Sequence, residues 1–225
     1  MRRALVVVGK APEPGATKTR LCPPLSPAQA ARLYEAFLRD TLETGQSLGW
    51  DRVTLIYPPT TGARGILTGI VPAQVHLHAQ DGRGLGQALS GAFAHHASEK
   101  FDRVVLIGSD NPTLPAALIE GASDALDTHD VVIGPAADGG YYLIGMDRPL
   151  PVLFDRITWS TSLVYNETIE RAHEGGLSVA SLPEWYDVDT FDDLARLRLE
   201  LDELEESVAP ATRVELDTLA PLFGR

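Results

Sequence analysis

Apolar runs and amphipathic segments alternate along almost the whole chain of 225 residues. The run at 4–9, Ala-Leu-Val-Val-Val-Gly, lacks polar alternation, which is typical of a central parallel strand covered on both faces. Strands are predicted near 3–8, 52–57, 74–79, 103–108, 130–134, 141–146 and 177–182. Helices are predicted near 27–46, 85–99, 115–126, 161–174 and 190–206, with a short helix inside 58–72. This alternation predicts a single three-layer α/β/α domain with a mostly parallel central sheet.

The end of the chain stays apolar beyond the last predicted helix. That helix carries a narrow leucine stripe, and residues after Pro210 include Val214, Leu216, Leu219 and Phe223. Apolar side chains in this number need a surface against which they are buried. We therefore expect residues 1–206 to form the domain and residues 207–225 to pack on it, or on a partner subunit in a homodimer.

Composition narrows the class of protein. The formal net charge of -12 disfavours nucleic acid as a partner, because phosphate backbones are bound by basic faces. No apolar stretch is long enough to span a bilayer, and Met1 to Arg3 lead directly into a strand, so we expect a cytoplasmic protein without a membrane span. The single cysteine, Cys22, excludes an internal disulfide. The six histidines show no metal-ligand spacing.

The loop after the first strand concentrates positive charge. Lys10, Lys18 and Arg20 lie there, and the carboxyl ends of strands are where open α/β sheets bind ligands. Backbone N–H groups around Gly15 can form an anion-binding nest, with Lys18 as a point charge and Arg20 as a bidentate fork. The spacing from Gly9 to Gly15 does not match a P-loop. The loop predicts a phosphate site; the alternative is that its cations balance nearby acids.

Carboxylates follow two other predicted strands. Asp110 comes directly after the strand at 103–108, where it is placed to hold Mg²⁺ or Mn²⁺ against nucleotide phosphates if this strand neighbours the first. Asp187 and Asp189 stand two residues apart in an extended segment, so they point the same way and one can complete the metal site. The alternatives are helix caps, by Asp110 at one helix and by Asp189 or Thr190 at the other.

A glycine pair follows another carboxylate at 138–142. Asp138 precedes Gly139, Gly140 and Tyr141, and paired glycines let a backbone approach a ligand closely. Asp138 is then a candidate for binding substrate hydroxyls or acting as a base. The alternative is a hairpin turn, for which Asp-Gly is a strong signal.

Two predicted helix starts are further candidates for ligand contacts. Gly82, Gly84 and Gly86 lead into one helix, where flexible backbone and a helix amino terminus suit a ribose, base or phosphate. The segment is not a dinucleotide fingerprint, because Gln87 stands at the third glycine. At the second helix start, the candidates for acceptor contacts or capping are Trp159, Ser160 and Thr161.

Taken together, these motifs resemble one family. They are Lys10-x-Pro-x-Pro-Gly-x-x-Lys18-Thr19-Arg20-Leu, Gly-Ser109-Asp110-Asn-Pro, Gly-Pro-Ala-Ala-Asp138-Gly-Gly-Tyr-Tyr-Leu-Ile-Gly, Trp-Ser-Thr and Asp187-Val-Asp189-Thr. The chain resembles the glycosyltransferase-like family of the nucleotide-diphospho-sugar transferase superfamily, over residues 4 to about 200 in order. The opening motif is also similar to that of the 2-phospholactate guanylyltransferases and, more distantly, to molybdenum-cofactor nucleotidyltransferases.

The resemblance implies a Rossmann-like domain of the GT-A type, a divalent metal (Mg²⁺ or Mn²⁺) and a nucleoside triphosphate or nucleotide sugar as partner. It implies that Asp110 is the first metal ligand and Asp189 the second, with Asp187 as its substitute. The residues implied to bind phosphates or the nucleoside are Lys10, Gly15, Lys18, Thr19, Arg20, Gly82, Gly84, Gly86 and Ser109. Those implied at the acceptor are Asp138, Gly139, Gly140, Tyr141, Trp159, Ser160 and Thr161. We expect the catalytic residues to be Lys18, Arg20 and Asp138.

Three functions stay open from the sequence. The leading one is a metal-dependent, glycosyltransferase-like enzyme that uses a nucleotide-activated donor. The second is a nucleotidyltransferase, favoured because Asp110-Asn111-Pro112 stands where such glycosyltransferases carry an Asp-x-Asp pair. The third is a non-catalytic nucleotide-binding protein. The presence of Lys18 and Arg20 together with Asp110 and Asp189 argues against it.

Overall fold

The computed structural model describes residues 1–81 and 84–224. Its strands are β1 (Arg3–Val8), β2 (Arg52–Tyr57), β3 (His76–Ala79), β4 (Arg103–Gly108), β5 (Val131–Pro135), β6 (Tyr141–Met146) and β7 (Val179–Ser181). They form one sheet in the order β3-β2-β1-β4-β6-β5-β7, in which only β6 runs antiparallel to its neighbours. The predicted α/β fold with a mostly parallel sheet is confirmed.

The helices connect the strands across both faces of the sheet. They are α1 (Pro27–Ser47), α2 (Ala63–Ile70), α3 (Leu85–Ser98), α4 (Ala116–Ala125), α5 (Val164–Glu174), α6 (Phe191–Glu203) and α7 (Pro210–Leu219). Short 3-10 helices lie at Thr19–Leu21, Pro151–Phe154 and Ala220–Phe223. The expectation that 159–161 opens a helix is wrong, because α5 begins only at Val164, after a turn.

Strand β1 shows why an uninterrupted apolar run predicts a central strand. Leu5 and Val7 point into the layer that holds α1, α2 and α4, whereas Ala4 and Val6 point into the layer that holds α3 and α5. Both layers exclude water, and all four side chains are fully buried. Burial of apolar surface on both faces is the main force that holds such a sheet together.

The end of the chain forms α7, which packs against α1. The Asp40 carboxylate on α1 accepts hydrogen bonds from the backbone N–H of Ala211 and Thr212, at 3.0 and 2.7 Å, and from the Thr212 hydroxyl at 2.6 Å. This carboxylate binds the free N–H groups of the first turn of α7, where negative charge is favourable. Leu216 and Leu219 are buried in the same contact.

The topology gathers the predicted site at one edge of the sheet. Strands β1 and β4 are parallel neighbours, so the loops after Val8 and Gly108 meet. Because β6 is antiparallel to β4, its first residue, Tyr141, lies at the same edge. None of the helices within the described ranges is long and apolar enough to cross a membrane.

Candidate functional site

Lys18 lies at the centre of the site and binds two carboxylates. Its side chain is 3% exposed, and Nζ lies 2.6 Å from Asp110 Oδ1 and 2.9 Å from Asp189 Oδ1. Burial lowers the pKa of Lys18, but the two carboxylates outweigh burial and raise it above its usual value. Lys18 therefore stays charged. Its backbone is left-handed, with φ of 48°, a costly conformation that the surrounding contacts hold in place.

Arg20 lies at the mouth of the site. Its side chain is 70% exposed, and Nη1 lies 3.4 Å from Asp189 Oδ2. Gly15 has φ of 80° and an open surface, which suits a backbone that turns to meet an anion. Lys10 and Thr19 are exposed, with the Lys10 ammonium 5.9 Å from the Tyr34 ring centre. Lys18 and Arg20 therefore balance nearby acids, and Arg20 also lines the cleft; that the loop binds phosphate stays a prediction.

Backbone hydrogen bonds attach the segment around Asp187 to the loop after β4. The Val188 N–H donates to the Asp110 carbonyl at 3.0 Å, and the Asn111 amide donates to the Tyr186 carbonyl. Asn111 also accepts from the Thr113 N–H at 3.0 Å. A carboxylate at 111 could not donate to Tyr186, so this hydrogen bond requires the amide.

Thr190, and not Asp189, caps α6. The Asp193 N–H donates to the Thr190 hydroxyl at 3.3 Å, and the Thr190 N–H donates back to the Asp193 carboxylate at 2.7 Å. This reciprocal pair is a capping box. The Asp189 side chain is thereby left to face Lys18 and Arg20. Asp110 does not cap α4 either, because that helix begins after Pro115.

Asp187 is partly buried beside the other acids. Burial raises the pKa of Asp187 to about 7, and the neighbouring carboxylates, Asp110 first, add to this effect, whereas Lys18 opposes it. An acid with this pKa carries its proton for part of the time at neutral pH.

Tyr34 of α1 connects the loop after β1 to the loop after β4. Its buried hydroxyl accepts from the Lys10 N–H at 3.0 Å and contacts the Ser109 hydroxyl at 2.8 Å. Ser109 Oγ donates to the Val8 carbonyl at 2.9 Å, so Tyr34 is the donor in the pair with Ser109. Ser109, a predicted nucleotide contact, is 1% exposed and is used in this connection.

Beside these loops lies a cleft of about 490 Å³. The charged residues of its lining are Arg20, Asp110, Asp138 and Asp187. Its apolar part, called the apolar wall below, includes Leu85, Leu89, Tyr141, Trp159 and Val164. A volume of this size fits a small molecule.

Asp138 lies in the turn between β5 and β6, so the predicted hairpin turn is present. Asp138 Oδ1 accepts from the Gly140 N–H at 2.8 Å, and Ala136 N–H donates to the Gly140 carbonyl at 3.0 Å. Gly139 has φ of 89°, and a Cβ there would come within 2.3 Å of the Ser162 carbonyl oxygen. The glycine is required by this turn, which presents Asp138 to the cleft.

Trp159 lies directly on α3. A Cβ at Gly86 would come within 2.7 Å of the Trp159 indole nitrogen, so this glycine makes room for the aromatic wall. Gly84 has φ of 90° and precedes α3. The predicted contact at Gly82 lies outside the described residues.

The turn after Trp159 contributes hydroxyl groups to the cleft. Ser160 is exposed and has φ of 64°. Thr161 Oγ1 donates to the Thr158 carbonyl at 2.7 Å and accepts from the Leu163 N–H at 3.3 Å. Thr161 therefore orders the turn before α5, and Ser160 borders the cleft beside it.

The donor set at Lys18 fits a hard divalent cation. Carboxylate oxygens are the ligands that Mg²⁺ and Mn²⁺ prefer. Within residues 1–81 and 84–224, no three His, Cys, Asp or Glu side chains are grouped closely enough to form a ready-made metal site. Instead, the oxygens of Asp110 and Asp189 converge on one ammonium. A metal bound to both carboxylates would replace Lys18 there.

Sequence reasoning missed Tyr34, Leu85 and Leu89. Tyr34 lies in the middle of an amphipathic helix, where an aromatic residue normally indicates core packing. Nothing local signals that its hydroxyl reaches two loops. The apolar wall was missed because Leu85 and Leu89 resemble ordinary residues of a helix face.

Three comparisons relate the chain to known proteins. Residues 41–161 match the family model of DUF2064, described as "Uncharacterized protein conserved in bacteria". The chain is 32% identical to 2-phospho-L-lactate guanylyltransferase of Methanothermobacter thermautotrophicus over 187 residues, which cover 81% of the chain and 78% of that protein. It is also similar to the crystal structure of a candidate nucleotide-diphospho-sugar transferase from Desulfovibrio desulfuricans G20, with a TM-score of 0.90, 35% identity and 99% of both chains covered.

A more distant structure shares the fold. Rv0371c of Mycobacterium tuberculosis H37Rv, crystallised with manganese, matches with a TM-score of 0.57 and 20% identity over 88% of this chain and 97% of that one. At this identity the likeness concerns the fold alone.

Proposed function

The chain belongs to the DUF2064 family, and from its relationship to a guanylyltransferase we infer that it is a nucleotidyltransferase. It moves a nucleotidyl group from a nucleoside triphosphate to a small acceptor, with Mg²⁺ or Mn²⁺. That it is a transferase follows from both relatives, a guanylyltransferase and a candidate nucleotide-sugar enzyme.

One observation carries the proposal: Lys18 joins Asp110 and Asp189 at the carboxyl ends of β1 and β4. A buried, charged lysine between two carboxylates combines a phosphate ligand with two metal ligands in one place. The cleft beside it reaches from Asp110 and Arg20 to Asp138 and Trp159, so it offers the acceptor a place next to the donor phosphates. Donor and acceptor can then be held side by side, which is the main requirement for an in-line displacement at phosphorus.

The residues of the site have separate roles in this reaction. Asp110 and Asp189, with Asp187 beside them, would hold the metal, which supplies charge neutralisation at the phosphates. Lys18 and Arg20 stabilise the charge that builds on the leaving pyrophosphate. The backbone around Gly15 binds phosphate oxygens through its N–H groups. Tyr34 keeps the loops after β1 and β4 at a fixed distance, so these groups stay aligned.

A second candidate is glycosyl transfer from a nucleotide sugar. It is favoured by the likeness, at 35% identity, to the protein from Desulfovibrio desulfuricans G20. In that reaction the acceptor attacks the anomeric carbon and the nucleoside diphosphate leaves, with Asp138 as the base. Nucleotidyl transfer is preferred because the relative whose name gives an activity is a guanylyltransferase, and because Pro112, two residues after Asp110, stands where an Asp-x-Asp pair has its second acid.

A thermal-shift screen separates the two candidates. Nucleoside triphosphates and nucleotide sugars are tested with and without Mn²⁺, since a bound ligand raises the melting temperature by mass action. We expect stabilisation by a triphosphate together with Mn²⁺. Stabilisation only by nucleotide sugars would select glycosyl transfer, and stabilisation by neither would refute both.

A further inference from the structure

We propose that the acceptor is an uncharged molecule that attacks through a hydroxyl group and lays an apolar face against Trp159. This inference rests on the proposed function, because it assigns the substrate class of the same cleft. Three features of the described residues carry it: the sign of the charge in the cleft, the presence of a base, and an apolar wall.

Acidic side chains outnumber basic ones in the described lining of the cleft. Asp110, Asp138 and Asp187 line it, and Arg20 is the one cationic residue among the described lining residues. Arg20 already pairs with Asp189, and Lys18 is used by two carboxylates. A phosphate or carboxylate on the acceptor would therefore meet the like charge of Asp138 and no free cation from the described lining. A bound metal–triphosphate complex is itself anionic and would add to this repulsion.

An uncharged hydroxyl needs a base, and the cleft supplies one. Asp138 is exposed there, and the one hydrogen bond that the structure shows to its side chain is made through Oδ1. In the reaction the hydroxyl oxygen bonds to the α-phosphorus, while the bond from that phosphorus to the pyrophosphate oxygen breaks. The hydroxyl proton passes to Asp138, and pyrophosphate leaves with the electron pair. An anionic phosphate acceptor would need no such base.

Part of the cleft lining is apolar. Trp159 is held against α3 by the absence of a side chain at Gly86, and Leu85 beside it is 45% exposed. A tryptophan face and an exposed leucine offer favourable contact to an apolar surface or to the flat face of a ring. Anionic groups gain nothing from this wall. The cleft thus discriminates against the phosphorylated acceptor in the name of the Methanothermobacter thermautotrophicus relative, 2-phospho-L-lactate.

The first arm of the test measures the charge around Trp159. The protein has three tryptophans, so the signal of Trp159 is the difference between wild type and Trp159→Phe. Fluorescence quenching by caesium and by iodide is compared with that of N-acetyltryptophanamide. We expect the caesium-to-iodide quenching ratio to be at least about threefold higher at Trp159, as a local potential of one kT or more implies. An equal or lower ratio would overturn the proposal.

A second variant measures the same ratio without changing Trp159, in case Trp159→Phe does not fold. In the double variant Trp50→Phe and Trp185→Phe, Trp159 is the remaining tryptophan, and the same ratio is expected. Asp138→Asn in this background removes one negative charge and should lower the ratio. A ratio unchanged by Asp138→Asn would contradict the placement of that charge beside Trp159.

The second arm measures transfer. Pyrophosphate release from the best triphosphate with Mn²⁺ is followed with matched acceptors: glycerol and glycerol 3-phosphate, glucose and glucose 6-phosphate, methyl lactate and 2-phospho-L-lactate. We expect kcat/KM for any phosphorylated member to be at least about tenfold below that of its neutral partner. Faster transfer to a phosphorylated member would overturn the acceptor class. Failure of every triphosphate to bind in calorimetry would instead refute the proposed function, whatever the quenching ratio.

Discussion

Replacing Lys18 by methionine is expected to change metal binding in opposite directions with and without nucleotide. Lys18→Met keeps the length and apolar stem of the side chain but removes the ammonium that Asp110 and Asp189 share. Without nucleotide, Mn²⁺ no longer competes with this ammonium for the two carboxylates. With nucleotide, the variant lacks a cation that would otherwise contact phosphate.

The magnitude follows from the exposure of the contacts. A hydrogen bond to a charged group contributes about 1.5–3 kcal/mol when buried. The Asp110 and Asp189 side chains are 43% and 37% exposed, so solvent screening reduces the pair of contacts to about 1–2 kcal/mol in total. This corresponds to an increase of roughly 5–30-fold in the affinity of the nucleotide-free protein for Mn²⁺. Triphosphate affinity in the presence of Mn²⁺ should fall by a similar factor.

Calorimetric titration of Mn²⁺, and then of triphosphate in excess Mn²⁺, measures both effects. The control is Lys100→Met, which removes the same charge just before β4, at the opposite edge of the sheet. It should leave both affinities unchanged. An unchanged or weaker affinity of Lys18→Met for Mn²⁺ would refute the reasoning, because the ammonium would then not occupy the metal position.

Three further changes test other parts of the site. In the folded protein the pKa of Asp187 is raised to about 7, against 3.8 for an unperturbed aspartate. Between about pH 4 and 7 the folded protein therefore binds a proton that the unfolded chain has lost. The free energy of unfolding of the wild type falls as the pH rises through this range. Asp187→Asn should remove this slope and raise the free energy of unfolding at pH 8 by at most about 4 kcal/mol, measured by urea denaturation. Tyr34→Phe should lower the free energy of unfolding by about 1–2 kcal/mol and weaken triphosphate binding. The variant loses the hydrogen bonds that the Tyr34 hydroxyl makes to the Lys10 N–H and to Ser109, one in each central loop. Gly86→Ala should cost about 1–3 kcal/mol by displacing Trp159, whereas Gly91→Ala, on the same helix with open space around it, should stabilise by about 0.5–1 kcal/mol.

Controls separate these effects from general damage. Asp202→Asn on the exposed part of α6 should leave the pH dependence of stability unchanged. Tyr165→Phe removes a hydroxyl that contacts Ser181 at the surface and should leave triphosphate affinity unchanged. If Asp187→Asn retained the pH dependence of the free energy of unfolding, the pKa of Asp187 in the wild type would not be raised. If Tyr34→Phe bound triphosphate like wild type, Tyr34 would not align the loops.

The sequence predicted which central residues of the candidate site lie close together, for a topological reason. Uninterrupted apolar runs marked β1 and β4 as buried parallel strands, and the loops at their carboxyl ends had to lie on one edge. Lys18 and Asp110 therefore came together as expected. Asp189 joined them because the extended segment after β7 crosses the same edge, held there by the bond from Val188 to Asp110.

Other features were beyond sequence reasoning because they depend on tertiary packing. The burial of the Lys18 side chain follows from its left-handed backbone and the segments that close over it. Gly86 has the sequence context of a flexible residue near a ligand, but it lies beneath Trp159, far away in the chain. The start of α5 was misplaced because hydroxyl groups at 160–161, typical of caps, order a turn instead.

The account depends most directly on metal-dependent nucleotide binding through Asp110. Calorimetry of the best triphosphate with Mn²⁺ compares wild type with Asp110→Asn and with Asp102→Asn, which changes an exposed acid at the other end of β4. We predict that wild type and Asp102→Asn bind the triphosphate only when Mn²⁺ is present, and that Asp110→Asn binds at least about tenfold more weakly. Equal affinity of Asp110→Asn and wild type, or binding that does not depend on Mn²⁺, would contradict the account.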